Sequence, residues 1–326
     1  MTEYKSDISR SFFRGESGVN FNPYKDDYST PNFVQEYVAK GWIPNSKLIT
    51  SSTNVTAFGS CFVANIIRFL KKLNFNLTTD SSPEIYISRI GEGLANVYAL
   101  YQQFDWALEN TPIPDGLWHG WEVEDYGVDE NIRLKTRETL LKSEVFIFTL
   151  GVSEIWEDIE TGHAFWKAVP EDKYDASRHK FRVLSMNETK ETLSKIYNII
   201  KKHIPAAKVI FTVSPIPMAA TFRQISCITA TSAAKSILRA SLDEFIRENK
   251  DSGESLFYFP SFEIPQFFYK AYEDDCRHLR EENIKFVMKL FEVMYCDTKL
   301  KWDEVEEHFK KEVEIINKIG AEKTII

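Results

Sequence analysis

Four short runs, "NVTAF" (54–58), "EVFIFTL" (144–150), "KVIFTV" (208–213) and "SLFYF" (255–259), are apolar along most of their length and rich in β-branched and aromatic side chains. Strands with one wet face alternate polar and apolar residues. Runs without that alternation belong to strands covered on both faces, as in parallel sheets flanked by helices. Between them lie amphipathic stretches with helical spacing: 62–73, 94–108, 187–203 with Asn187 as N-cap, 232–249, 281–295 and the charged tail 301–319. Strand alternating with helix predicts right-handed crossovers and a doubly wound α/β domain, whose ligands bind beyond the carboxyl ends of the strands.

Composition narrows the function classes. The 326 residues are 43% hydrophobic and 27% charged, with a formal net charge of −8, the balance of a globular protein. No Lys/Arg stripe with interleaved aromatics is present, so nucleic acid is not an expected partner. No window approaches the roughly 20 apolar residues of a membrane-spanning helix. The opening "MTEYKSDISRSFFRGESG" lacks an apolar core for export, so the expected compartment is the cytoplasm. The four cysteines, Cys61, Cys227, Cys276 and Cys296, have neither C-x-x-C spacing nor the density of a disulfide framework. No histidine-rich ligand pattern and no glycine-rich phosphate loop occurs, so neither a metal nor a bound cofactor is expected.

The expected organisation is an irregular leader over residues 1–50, an α/β domain over 51–296 and a helical extension over 297–326. The extension's apolar stripe (Trp302, Val305, Phe309, Val313, Ile316) either packs on the same fold or dimerises, and the oligomeric state stays open. Two aromatic, Gly/Pro-containing segments, 110–129 and 154–186, read as cap loops inserted in the alternation.

The strand ends hold the candidate chemistry. "NVTAF" runs into Gly59, Ser60 and Cys61 and then a helix, whose free N–H groups and dipole favour an anion at that corner. Either Ser60 or Cys61 suits a nucleophile there, while helix capping by Ser60 is the structural alternative. After "EVFIFTL", Ser153 is a candidate oxyanion donor or a second cap. Farther on, Asp275 precedes His278 by three residues, the spacing at which a carboxylate orients an imidazole as a general base. Glu154, Trp156 and His119 lie in the cap segments as candidate substrate contacts, and Trp118, Trp121 and Trp166 lie there as well.

In that order, "GSCFV", "GEGLANVYALYQQF", "FIFTLGVSEIW", "VIFTVSPIPMAATF", "ATSAAKSILRA", "FYFPSFEI" and "DDCRHL" make the chain resemble the GSCFA family and, through it, the SGNH/GDSL hydrolase superfamily. The resemblance implies a three-layer α/β/α fold with a flavodoxin-like, mostly parallel sheet. It also implies a nucleophile after the first strand, an oxyanion-hole N–H at Gly93 (or Gly91), a third donor and an Asp-x-x-His pair at Asp275 and His278. Registered without a gap, the superfamily's G-D-S falls on Gly59, Ser60 and Cys61, which puts Cys61 at the nucleophile position. Its oxyanion asparagine falls on Ser153.

The implied function is an acyl esterase acting on O-acyl groups, of a carbohydrate, through an acyl-enzyme. The alternatives are a carbohydrate O-acyltransferase that takes its acyl group from an acyl-CoA donor through Cys61, and a non-catalytic glycan-binding protein on the same fold. The expected partner is a small-molecule or glycan substrate.

Overall fold

The computed structural model describes residues 13, 18–78, 96–118, 129–166, 168–249, 254–268 and 271–323. The four apolar runs form strands β1 (Val55–Gly59), β2 (Val145–Leu150), β6 (Lys208–Val213) and β7 (Leu256–Tyr258), all parallel, in the order β1-β2-β6-β7. Beside β1, Leu77 makes a parallel bridge to Val55.

Strand alternation sends successive side chains to opposite faces of this sheet, and each face has its own core. On one face, Phe58, Phe146, Phe148 and Phe211 pack with α2 (Val97–Phe104), α4 (Met186–His203) and α5 (Cys227–Glu248). On the other, Val55, Ala57, Val145, Ile147 and Ile210 pack with α1 (Cys61–Lys72), α6 (Glu281–Tyr295) and α7 (Trp302–Lys323). The layers are therefore helix, sheet, helix, as the run pattern predicts.

Several details differ from the expectation. Helix α4 is capped by Ser185, not Asn187: the Ser185 hydroxyl accepts from Glu188 N–H while the Glu188 carboxylate accepts from Ser185 N–H, a reciprocal capping box. Helix α5 starts at Cys227, five residues before the expected Ser232. An additional helix, α3 (Glu130–Lys142), stands before β2. The segment expected as a second cap loop carries an antiparallel sheet in the order β4-β3-β5, from β3 (Glu154–Asp158), β4 (His163–Ala164) and β5 (His179–Val183). Gln102 of α2 fastens it to the body, donating to the Ala164 carbonyl and accepting from the Ala164 N–H.

The tail helix packs on its own fold: Val305 and Phe309 are buried, and Phe309 stacks on Phe33 with ring centroids 4.7 Å apart. The Ile316 side chain lies outside the described ones. On the same helix the Glu306 carboxylate accepts from the N–H groups of Val34 and Gln35, each at 3.0 Å, capping the π-helical turn Val34–Val38. Burial pushes the Glu306 carboxyl up, against the opposing pull of those two N–H groups.

The end of β1 runs close against β2. Gly59 has φ +131°, and a Cβ there would sit 2.1 Å from the Thr149 carbonyl oxygen of β2. The Ser60 N–H donates to the same oxygen at 3.1 Å. A side chain at residue 59 would therefore meet both a forbidden backbone conformation and a backbone atom that cannot swing aside. Gly59→Ala is expected to cost about 3 kcal/mol of stability or more, read as a lowered midpoint in chemical denaturation.

Candidate active site

Ser60 is the residue before the first turn of α1, in extended backbone (φ −68°, ψ 175°), and its hydroxyl accepts from Phe62 N–H at 3.3 Å. That hydroxyl thus serves one of the free donors of the helix start. Cys61, the first helical residue, carries an exposed thiol. It opens into a cleft of about 310 Å³ whose other walls include Asn65, Arg68, Ile216 and His278. Cys61 and His278, 217 positions apart in the chain, share that cleft, and Ser60 does not line it.

His278 comes from a tight turn between Ala271 and Arg280. The Glu273 N–H donates to the His278 carbonyl and the Arg280 N–H to the Ala271 carbonyl, while Tyr272 and Leu279 pair across. The turn is tied to the loop after β6: the Tyr272 hydroxyl donates to the Pro215 carbonyl at 3.1 Å and Arg277 to the Pro217 carbonyl at 3.4 Å. Within it, His278 Nδ1 and Asp275 Oδ2 are 2.5 Å apart, and Asp275 Oδ1 accepts from the N–H groups of Arg277 and His278, both at 2.9 Å. The imidazole bond first, then those two N–H groups, hold the Asp275 carboxyl well below the ordinary carboxylate range. With Nδ1 engaged, Nε2 is the nitrogen left for chemistry.

The remaining candidates lie apart from the cleft walls or beyond the described residues. Ser153 is fully buried, and its hydroxyl meets no partner among the described residues. Gly91, Gly93, His119 and Trp121 lie outside the described residues. Trp118 and Trp166, each 2% exposed and stacked 5.1 Å apart, belong to the core, and Trp166 also lines the second cavity.

Glu154 and Trp156 do line a second cavity, of about 190 Å³, together with Asn96, Phe181, Met218 and Phe222. Its carboxylate, Glu154, accepts from the Thr221 hydroxyl at 2.9 Å, and the Trp156 indole N–H is buried without a partner among the described residues. Trp156 is walled by the rings of Tyr174, Phe181 and Phe222.

One group among the described residues has ligand atoms close enough for a metal ion. Glu282, His308 and Glu312 lie within 4.8 Å of one another where α6 meets α7. Glu282 already pairs with Lys285 at 2.8 Å. The spacing of these residues in the chain gives no sign of the group, because two separate helices supply it.

A parallel sheet between two helical layers defines a doubly wound α/β protein, and the thiol at the first strand-to-helix corner and the oriented imidazole line one cleft, the candidate site. The chain belongs to the GSCFA family, whose model matches residues 54–291. It is similar to the crystal structure of a carbohydrate esterase family 3 protein from Talaromyces cellulolyticus, at 11% identity over 74% of this chain and 98% of that one, with a TM-score of 0.35. A family 3 carbohydrate esterase of Clostridium thermocellum gives 11% identity over 74% and 94%, with a TM-score of 0.38. No curated protein matches the sequence.

A carboxyl held low in the folded state contributes stability above the unfolded value of about 3.9, and that contribution is lost as pH falls through the lower folded value. The Asp275 carboxyl carbon resonance is therefore expected to keep its ionised position down to about pH 3. In His278→Ala it should titrate nearer the ordinary range. A normal titration in the unaltered protein would show that the Asp275–His278 bond does not form in solution.

Proposed function

We propose that this protein is an acyl-ester hydrolase that removes O-acyl groups from a carbohydrate through a thioester at Cys61. The observation that carries the reading is the shared cleft: an exposed thiol at a helix start and an imidazole whose other nitrogen is held by a carboxylate. The resemblance to SGNH/GDSL hydrolases supports the reaction type.

His278 Nε2 takes the proton from the Cys61 thiol, and the sulfur attacks the acyl carbon. The carbonyl π pair moves onto oxygen, giving a tetrahedral oxyanion beside backbone N–H groups of the helix start. As that pair returns, the C–O bond to the sugar breaks and the departing oxygen takes the proton from His278. Water, deprotonated by the same nitrogen, then attacks the thioester. Its collapse releases the carboxylic acid and restores the thiol. Asp275 stays ionised throughout and stabilises the imidazolium formed in each half-reaction.

A thiol nucleophile also supports a second reading, O-acyl transfer. An acyl group from a CoA thioester would move to Cys61 at little cost in energy, because one thioester replaces another, and a sugar hydroxyl would take the place of water. The aromatic cavity with Glu154 and Trp156 supports a carbohydrate ligand in either reading, since ring C–H faces pack on aromatic side chains and carboxylates accept from hydroxyls.

Turnover of 4-methylumbelliferyl acetate tests the nucleophile. Cys61→Ala and His278→Ala are each expected to lose about 10³-fold or more in kcat/KM. Ser60→Ala should stay within about tenfold and lose about 1 kcal/mol of stability through its cap. Loss in Ser60→Ala with activity kept in Cys61→Ala would move the role to Ser60. Equal rates in all variants and no turnover above blank would leave only a binding protein. Intact-mass measurement of an acetyl adduct after acetyl-CoA separates transfer from hydrolysis.

A further inference from the structure

Helix α5 carries a lysine where a charge is costly. Lys235 is 3% exposed, and its Nζ donates to the Gly151 carbonyl at 2.8 Å. No carboxylate pairs with it among the described residues. Loss of hydration pushes its ammonium down to about 7, with no charged group among the described residues bearing on it. A buried cation that meets no counter-charge among the described residues lowers stability, and what its Nζ holds is the Gly151 carbonyl.

The residue it holds lies at the tip of β2. Leu150 O accepts from Ser214 N–H and Ser153 O from Leu184 N–H, both at 2.8 Å, and Gly151 O accepts from Lys235. Three carbonyls of this tip are therefore fixed. The Val152 N–H, by contrast, meets no acceptor among the described residues, and the Val152 side chain packs against Met218, Ala230 and Ala234. The Gly151–Val152 peptide is trans, so its carbonyl and N–H point in opposite directions in one plane. Fixing the carbonyl on Lys235 fixes the N–H on the far side. A cation on the carbonyl also polarises the peptide and strengthens that N–H as a donor. The tip is joined to the nucleophile corner through Thr149, whose carbonyl accepts from Ser60 N–H.

We propose that Lys235 is a positioning residue that holds the Gly151–Val152 peptide so that the Val152 N–H serves the oxyanion, in place of the buried Ser153 hydroxyl. This rests on the esterase reading of the Cys61 cleft. The ammonium touches no substrate and acts only through the peptide.

Two arms test it on the full chain. With 4-methylumbelliferyl acetate, Lys235→Met is expected to lower kcat about 10²-fold with KM within about twofold, and to hold or raise the melting temperature because a buried charge is gone. A kcat within twofold of the unaltered protein overturns the proposal. So does a melting temperature that falls while kcat and KM worsen together, the mark of a merely structural lysine.

The second arm needs no turnover. In isotope-labelled protein followed from pH 5.5 to 9, the Val152 amide resonance should move with the same midpoint as the Lys235 ε-carbon, and it should be flat with pH in Lys235→Met. A Val152 amide indifferent to Lys235 overturns the proposal whether or not the protein is an esterase. Coupled titration with no turnover by the unaltered protein overturns the esterase reading alone and leaves the peptide-holding role standing.

Discussion

Gly59 lies so close to the Thr149 carbonyl that no side chain fits between them, and the arrangement of the site follows from this approach. The absence of a Cβ lets β1 end directly against β2, and the positive φ turns the chain out of the sheet within one residue. Ser60 then bonds the same carbonyl with its N–H and uses its hydroxyl to cap α1. Cys61 is consequently delivered to the first position of the helix, with its sulfur at the cleft. A corner set one residue earlier would carry the serine there instead. The identity of the residue that shares the cleft with His278 is thus decided by a backbone contact two residues upstream.

The partner group reaches the cleft by an independent route. The turn bearing Asp275 and His278 is locked internally by backbone bonds and externally by Tyr272 and Arg277 on the proline-containing loop after β6. Prolines limit that loop's freedom, so the imidazole is referenced to β6 much as the thiol is referenced to β1 and β2. The parallel register of those strands then sets the relation between the two groups.

Much of this was legible in the sequence. The buried strands show in unbroken apolar runs, because a strand covered on both faces has no polar face to alternate with. The Asp275–His278 bond shows in the three-residue spacing. The shared cleft does not show, since nothing in residues 61 or 278 alone encodes their approach. The antiparallel sheet was hidden because its half-exposed strands carry Glu154, Glu157, His179, Lys180 and Arg182, which resemble a solvated loop. Helix α3 buries only Arg133, Thr136 and Leu140, too faint an apolar stripe to register. The burial of Trp118 and Trp166 does not show either, because a tryptophan among glycines and prolines gives no sign of whether its faces are taken. Lys235 reads as one more charge on a helix until the fold surrounds it.

The bond from Glu306 to the amides of Val34 and Gln35 joins the two ends of the described chain. Its consequence concerns order in time. During synthesis the segment around Phe33 emerges early, yet the carboxylate that caps it and the Phe309 ring that covers it are made some 270 residues later. The sheet and its first-layer helices can assemble meanwhile. The early segment gains these two contacts only once residue 309 has left the ribosome.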